Sequence, residues 1–139
     1  MTEAPEELRK LNDEELVALQ SALALASRMA VTETALSLEQ VQALYDEALQ
    51  AGPNDIDREI AIGLAFGALF VDGVEFEWAR ITDRWGSETC VAVVGKMLHA
   101  APISMIQKRL RRAEPINLAE LRDAIVSALR ARAADSAQR

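Results

Sequence analysis

Few residues in this sequence have side chains that could carry acid–base or nucleophilic chemistry. His99 is the only histidine and Cys90 is the only cysteine. A catalytic histidine needs a nucleophile or an acid within hydrogen-bond reach, and Cys90 or Ser104 qualifies only if the fold brings it there. No Gly-x-Ser-x-Gly turn, His-Glu-x-x-His pair or phosphate-binding glycine loop occurs. We therefore expect no catalytic activity, with His99 as an ordinary strand residue and Cys90 as a small buried hydrophobe.

An acidic cluster at Asp55, Asp57 and Glu59 does not form a metal-binding motif. The cluster lies where a helix is expected to begin, and acids there complement the helix dipole without an ion. The glycine and the terminal glutamate of a Ca²⁺ loop are missing, and one cysteine excludes a four-cysteine zinc site. The sequence predicts neither a metal nor a cofactor.

Two glycines four residues apart, Gly63 and Gly67, lie in a segment that is predicted to be helical. Because this helix is apolar on most sides, we expect it to be central in the fold. Each glycine costs about 1 kcal/mol relative to alanine in a helix, so close approach of another backbone or of a ligand is expected to compensate. A small-molecule site, with or without weak enzymatic activity, could therefore lie between the sheet and this helix. Polar residues that could converge there are Asp83, His99, Ser104 and Lys108.

The stretch from Glu75 to Glu88 contains both tryptophans of a chain that is poor in aromatic residues. Trp78 follows the strand period of two and is predicted to lie in the core. Trp85 falls in a turn, where we first expect it to cap the core; docking of a partner and contact with a ligand are the alternatives. Asp83 is expected to bond to backbone amides of this turn, and Arg84 beside Trp85 is typical of interaction hot spots.

Charge is divided unevenly along the 139 residues. Residues 1–79 contain 16 acidic and 4 basic residues, whereas residues 80–139 contain 6 acidic and 11 basic ones, with a net charge of −7. The halves either complement each other where they pack, which we expect first, or mark an interaction surface. Lys108 and Arg109 are expected to pair with acids of the N-terminal half or to bind an acidic partner. A pI of about 4.8 argues against a nucleic-acid ligand.

Composition indicates a cytoplasmic bacterial protein. The N-terminus is acidic where a signal peptide would be basic, and the longest apolar run is too short to span a membrane. Arginine outnumbers lysine twelve to three, a bias typical of GC-rich bacterial genomes. We expect neither a membrane nor a nucleic acid among the partners.

Periodicity and capping residues predict an α+β protein with the element order ααα-βββ-αα. Helices are expected to begin at capping boxes and other start signals, which are Asn12, Ser37, Asn54 or Asp55, Pro102 and Asn117. The third helix should run to about Val71, and an extra helical turn is expected near Pro5 to Lys10. Three strands should form an antiparallel meander. Their expected ranges are Val74–Trp78, Thr89–Val94 and Met97–Ala101. The single domain would comprise a helical extension (1–52), a core (54–132) and a frayed tail (133–139).

Ordered landmarks then suggest a family. They are Gly63, Gly67, Trp78, Asp83, Trp85-Gly86, Pro102 to Ile106 and Lys108-Arg109. With these landmarks, residues of about 60 to 130 resemble a bacterial family called domain of unknown function 3806. Ala113-Glu114-Pro115 stands where that family usually has a Gly-Glu pair. The resemblance implies a shared fold unit and shared positions, and it implies no reaction because the family has no established activity.

From these observations we expect a small acidic protein that binds another protein without catalysing a reaction. Regulatory, chaperone-like and toxin-immunity roles suit a domain of this size and charge by analogy. The partner would be a basic protein, and self-association through the N-terminal helices is an alternative. The candidate docking residues are Asp83, Arg84, Trp85, Lys108 and Arg109. The candidate pocket residues are Gly63, Gly67, His99 and Ser104.

Overall fold

The structure, a computed structural model, describes residues 6–52 and 55–137. In these ranges five helices and four strands follow the order β-ααα-βββ-αα. The strands are β1 (Glu7–Arg9), β2 (Phe76–Asp83), β3 (Gly86–Val93) and β4 (His99–Ala100). The helices are α1 (Asp13–Met29), α2 (Leu38–Ala51), α3 (Ile56–Ala68), α4 (Pro102–Arg111) and α5 (Leu118–Ala137). The predicted α+β class is confirmed, and the sheet has one strand more than expected.

The four strands form one antiparallel sheet in the order β1-β2-β3-β4. On β2, Phe76 and Trp78 lie opposite Val93 and Val91 of β3, and all four contribute to the main core with the helices. The alternate positions of β2 and β3 face the other side, because successive side chains of a strand point in opposite directions. There a smaller apolar cluster comprises Leu8, Ala79, Ile81, Cys90 and Ala92.

Side-chain capping begins the first three helices. Asn12 with Glu15, and Ser37 with Gln40, form complete capping boxes, which satisfy backbone N–H groups that a helix start otherwise leaves without partners. Asp55 accepts a hydrogen bond from the N–H of Arg58 at the start of α3. These three predictions are confirmed.

Helix α3 is the centre of the fold, as its apolar pattern predicted. Every residue from Ala61 to Gly67 is buried, and α1, α2 and α4 all pack against it. The helix ends at Ala68 rather than near Val71. The segment that follows turns away because Asp72 Oδ1 accepts hydrogen bonds from the backbone N–H groups of Val74, Glu75 and Phe76.

The strands differ from the prediction in number and in length. Residues 7–9 pair with β2 as strand β1 instead of forming a helical turn; Pro5 lies outside the described residues. Both strands of the central hairpin extend to its turn, where Asp83 pairs with Gly86. Val74, expected to begin the first strand, instead precedes β2 and is 80% exposed, because the Asp72 loop holds it outside the sheet. The third strand of the meander is only two residues long.

The segment between α4 and α5 is tied to α2. Tyr45 donates its hydroxyl hydrogen to the backbone oxygen of Glu114. The side chain of Gln42 bonds to both the oxygen of Ile116 and the N–H of Leu118. Ala113 adopts a positive φ of 51°, the left-handed conformation that glycine favours at helix ends. The chain therefore makes this left-handed turn with an alanine.

Candidate functional site

The turn between β2 and β3 presents the most exposed aromatic side chain of the part described. Trp85 is 81% exposed, so the expectation that it caps the core is wrong. Because Asp83 pairs with Gly86, the turn has only two central residues, and both project beyond the end of the sheet.

Local contacts hold this turn in one shape. Asp83 Oδ1 accepts a hydrogen bond of 2.8 Å from the backbone N–H of Trp85, as predicted. Arg84 places its guanidinium carbon 4.6 Å from the centre of the Trp85 ring, within cation–π range. Gly86 has a φ of +133°, which allows β3 to begin directly after the turn.

Within the described residues, Lys108 and Arg109 of α4 do not pair with acids of the N-terminal half. Arg109 contacts Glu114 at 3.8 Å and donates to the backbone oxygen of Met105 at 3.1 Å, both within the C-terminal half. Lys108 is exposed on the same helix. The reason is geometric: the last turn of α4 adjoins the segment that leads to α5, which supplies Glu114.

Other arginines join the two halves of the chain. Arg80 lies 3.4 Å from Glu15, Arg111 lies 3.8 Å from Glu59, and Arg130 forms a bidentate pair of 2.6 and 2.7 Å with Glu75. The two halves therefore complement each other across their packing interface. Glu59 is almost fully buried, and within the described ranges its Oε1 accepts no hydrogen bond.

The helix face that carries the two glycines is closed. A Cβ atom on Gly63 would lie 2.7 Å from Cα of Ile103, and one on Gly67 would lie 2.8 Å from Cγ of Pro102 and 3.0 Å from the Trp78 ring. The compensation for these glycines is thus the close approach of α4 and Trp78. No ligand volume separates the glycines from those neighbours, so the predicted site does not lie on this face.

His99 and Ser104 have separate surroundings. His99 is half-buried on β4, opposite Ala92 of β3. Ser104 donates a hydrogen bond of 2.7 Å to Glu88 Oε2 and lines a cleft beside α4. His99 is not among the residues that line this cleft, so the structure does not bring the predicted pocket residues together.

The cleft lies between α1, α3, α4 and the β2–β3 hairpin, and it has a volume of about 370 Å³. Its apolar residues are Ala18, Leu19, Ala22, Ile60, Leu64 and Ile103. Its polar residues are Arg80, Ser87, Glu88, Thr89, Ser104 and Gln107. Only Ser104 of this set was a predicted pocket residue, because the cleft is assembled from elements up to 89 positions apart in the chain.

Arg80 organises the polar wall of the cleft. Its Nε donates to Ser87 Oγ at 2.7 Å, Nη1 to Thr89 Oγ1 at 3.3 Å, and Nη2 to the backbone oxygen of Ser87 at 3.2 Å. One sequence signal could have identified it: Arg80 continues the inward-facing positions of Phe76 and Trp78, where a charge needs partners.

Glu15 links Arg80 to β1. Arg9 donates to both carboxylate oxygens of Glu15 at 2.7 and 2.9 Å. The hydrogen bond from Arg9, the backbone N–H of Asn12 and the nearby charge of Arg80 lower the pKa of Glu15 from 4.5 to about 2. Arg9 also contacts Glu7 at 3.7 Å, so this group contains two arginines and two acidic side chains.

Cys90 is a poor nucleophile where it lies in the fold. Burial, together with the charge of Glu88, raises the pKa of Cys90 from 9.0 to about 12, so its nucleophilic thiolate is scarce at neutral pH.

Across the described residues, no group of three or more His, Cys, Asp or Glu side chains could hold a metal ion. Within the same ranges, no helix has the length and apolar character to cross a membrane.

One solved structure resembles the chain in fold. It is a protein of Bacteroides thetaiotaomicron VPI-5482 determined at 1.50 Å resolution, with a TM-score of 0.68 and 20% sequence identity. The alignment covers 86% of this chain and 46% of that one, so this chain spans about half the length of its neighbour. No curated protein matches the sequence.

A family model matches residues 37–121. The match begins at Ser37, the N-cap of α2, and thus includes a helix that the sequence analysis assigned to the extension. Its inclusion is consistent with the bonds from Tyr45 and Gln42 to the segment before α5. The match covers more than half of the chain. The protein therefore belongs to the family described as domain of unknown function (DUF3806).

Proposed function

We propose that this protein is a non-catalytic binding module that docks onto a basic protein through its β2–β3 turn. The observation that carries the proposal is the 81% exposure of Trp85. Burial of a large apolar side chain contributes about 1.5–3 kcal/mol, and this tryptophan forgoes that stabilisation in the isolated chain. Tryptophan and arginine are the residues most enriched at interaction hot spots, and Arg84 lies over the Trp85 ring.

Rigidity of the turn supports the proposal. The Asp83 hydrogen bond and the strand pair Asp83–Gly86 hold Trp85 in place before any partner arrives. A preorganised side chain loses little conformational entropy on binding, so more of the contact energy contributes to affinity.

Charge around the turn favours a basic partner. Glu7 of β1 lies opposite Thr82, one pair before the turn, and Glu6 precedes it. Helix α1 begins beside β1, because Glu15 in its first turn bonds to Arg9, which lies opposite Arg80. We call four exposed acids of residues 6–14 the acidic rim: Glu6, Glu7, Asp13 and Glu14. The whole chain has a net charge of −7, and the rim would attract a basic surface and accelerate association. By analogy of size and charge, a regulatory, chaperone-like or toxin-immunity role would use such docking.

Val74 offers a matched control for the tryptophan. It is 80% exposed, against 81% for Trp85, and it lies just beyond the other end of β2. Tagged wild-type protein, Trp85→Ala and Val74→Ala should be purified from the source cells at low salt, and co-eluting proteins identified by mass spectrometry. We expect one stoichiometric basic protein with the wild type and with Val74→Ala, bound about 30-fold or more weakly by Trp85→Ala. Equal retention by Trp85→Ala would refute docking at the turn.

The charge of the rim is tested by kinetics with the purified partner. Asp13→Asn with Glu14→Gln should slow association, and the wild-type association rate should fall about tenfold between low and high salt. Glu39→Gln with Glu47→Gln removes the same charge from α2, which packs mainly against α3 and α5, and should slow association less. An association rate that does not change with salt would exclude steering. Light scattering of the wild type and Trp85→Ala separates this proposal from a homodimer.

A further inference from the structure

We propose that the cleft between α1, α3, α4 and the β2–β3 hairpin binds a carboxylate carried on a short aliphatic chain. Its volume of about 370 Å³ lies at the small end of the range of about 300–1,000 Å³ found for ligand pockets. The inference is independent of docking at Trp85, which does not line the cleft.

The apolar side of the cleft suits an aliphatic chain. It is lined by Ala18, Leu19 and Ala22 of α1, Ile60 and Leu64 of α3, and Ile103 of α4. Small and branched aliphatic side chains thus line a slot without aromatic surface. Saturated carbon chains gain contact in such a slot, whereas planar rings find no stacking partner.

The polar side of the cleft offers hydrogen-bond donors. Arg80 uses one N–H on each of its two terminal nitrogens, and a guanidinium has two N–H bonds on each. The hydroxyls of Ser87 and Thr89 both accept from Arg80, so each has its own hydrogen available for donation. Gln107 adds an amide on the α4 side. An acceptor with several lone pairs, such as a carboxylate, would satisfy this set.

Acidic groups near the cleft restrict where a carboxylate can bind. Glu15 lies 3.4 Å from Arg80 but accepts hydrogen bonds of 2.7 and 2.9 Å from Arg9, and Arg9 also contacts Glu7 at 3.7 Å. Glu88 also lines the cleft; Ser104 donates to its Oε2, and its Oε1 is buried without a hydrogen-bond partner among the described residues. The donors for a ligand carboxylate are therefore Arg80, Ser87 and Thr89, at a position away from Glu88. The carboxylate could belong to a free aliphatic acid or to the C-terminal residue of a peptide.

The first test uses sodium octanoate as the probe and octanamide as its uncharged match. Binding to the full chain should be followed by ¹H–¹⁵N NMR titration, with saturable shifts centred on residues 80, 87, 89 and 107. The charged probe should bind about tenfold or more tightly than the amide, because hydrogen bonds to a charged group are the stronger ones. A peptide ending in leucine, as free acid and as amide, tests the second source of the carboxylate.

Two alanine positions provide a matched pair of variants. Ala22→Leu fills the slot, whereas Ala24→Leu adds the same side chain to an exposed position of the same helix. Binding should weaken about tenfold or more in Ala22→Leu and stay unchanged in Ala24→Leu. Arg80→Gln should remove the preference for acid over amide, and circular dichroism should first establish that this variant folds.

Each outcome decides the inference. Saturable octanoate binding that Ala22→Leu removes supports a free-acid ligand, and saturation by the leucine peptide alone supports a peptide carboxylate at the same site. Equal binding of octanoate and octanamide overturns carboxylate recognition. Absence of saturation by either carboxylate below about 10 mM overturns the site itself, as does binding that Ala22→Leu leaves intact.

Discussion

The substitution Gly63→Ala tests the contact between α3 and α4. Helix propensity and tertiary packing predict opposite effects of this substitution on the free energy of unfolding. Considered as a helix residue alone, Gly63 should benefit from replacement by alanine, with a gain of about 1 kcal/mol. In the structure, the added Cβ would lie 2.7 Å from Cα of Ile103 and 3.2 Å from both the nitrogen of Ile103 and the oxygen of Pro102. All three are backbone atoms at the start of α4, so relief requires the helix itself to move.

The size of the effect follows from these two opposing contributions. Overpacking of a well-packed core costs about 1–3 kcal/mol, and contact with backbone places this case near the upper end. After the propensity gain of about 1 kcal/mol is subtracted, Gly63→Ala should lower the free energy of unfolding by about 2 kcal/mol. Gly67→Ala is the matched comparison, because its Cβ would meet side-chain atoms of Pro102 and Trp78. These rings can shift more easily than a helix backbone, so we expect a smaller loss.

Urea unfolding followed by circular dichroism at 222 nm measures both variants. The midpoint should fall for Gly63→Ala while the slope of free energy against urea stays that of the wild type. A Gly63→Ala protein as stable as the wild type, or more stable, would refute the close approach of α4. Equal losses for the two glycines would contradict the distinction between backbone and side-chain neighbours.

Three further measurements probe other parts of the structure. Val31 has a φ of 53° and is 92% exposed, and a left-handed conformation costs a residue with a side chain about 1–2 kcal/mol. After the conformational entropy of glycine is counted, Val31→Gly should raise the free energy of unfolding by about 1 kcal/mol. A lower free energy of unfolding in urea would contradict this. The folded pKa of Glu15 is about 2, below its ordinary 4.5, so its contribution to stability is complete above pH 4.5 and is lost as pH falls towards 2. Glu15→Gln should therefore make the free energy of unfolding less dependent on pH in this range. An unchanged pH dependence between 4.5 and 2 would argue against the Arg9 pair. Burial raises the pKa of Cys90 to about 12, so native protein should react with a thiol reagent at pH 8 far more slowly than urea-unfolded protein; equal rates would show that the thiol is accessible.

Helix starts could be predicted because their signals are local. Asn12 with Glu15 and Ser37 with Gln40 bond within three residues of each other, so sequence spacing alone specifies the geometry. The same holds for the Asp83 bond to the Trp85 N–H.

Strand β1 and the position of Trp85 could not be predicted in this way. Three residues are too few to establish a period, and β1 exists because β2 offers pairing partners for residues 7–9. Trp85 could equally have folded over the core, since its size favours burial. The pairing of Asp83 with Gly86 directs it away from the sheet, and that register depends on the whole hairpin.

The residues of the candidate cleft could not be predicted from the sequence either. Its residues include Ala18 and Gln107, and no pattern along the chain relates positions so far apart. The sequence by itself determined the class of fold, the helix starts, the central place of α3 and the family. Tertiary structure decided what the glycines contact, which arginines join the two halves and where a ligand could enter. The physical reason is that capping and periodicity act within a few residues, whereas close approach, burial and shared charge depend on elements that only packing brings together.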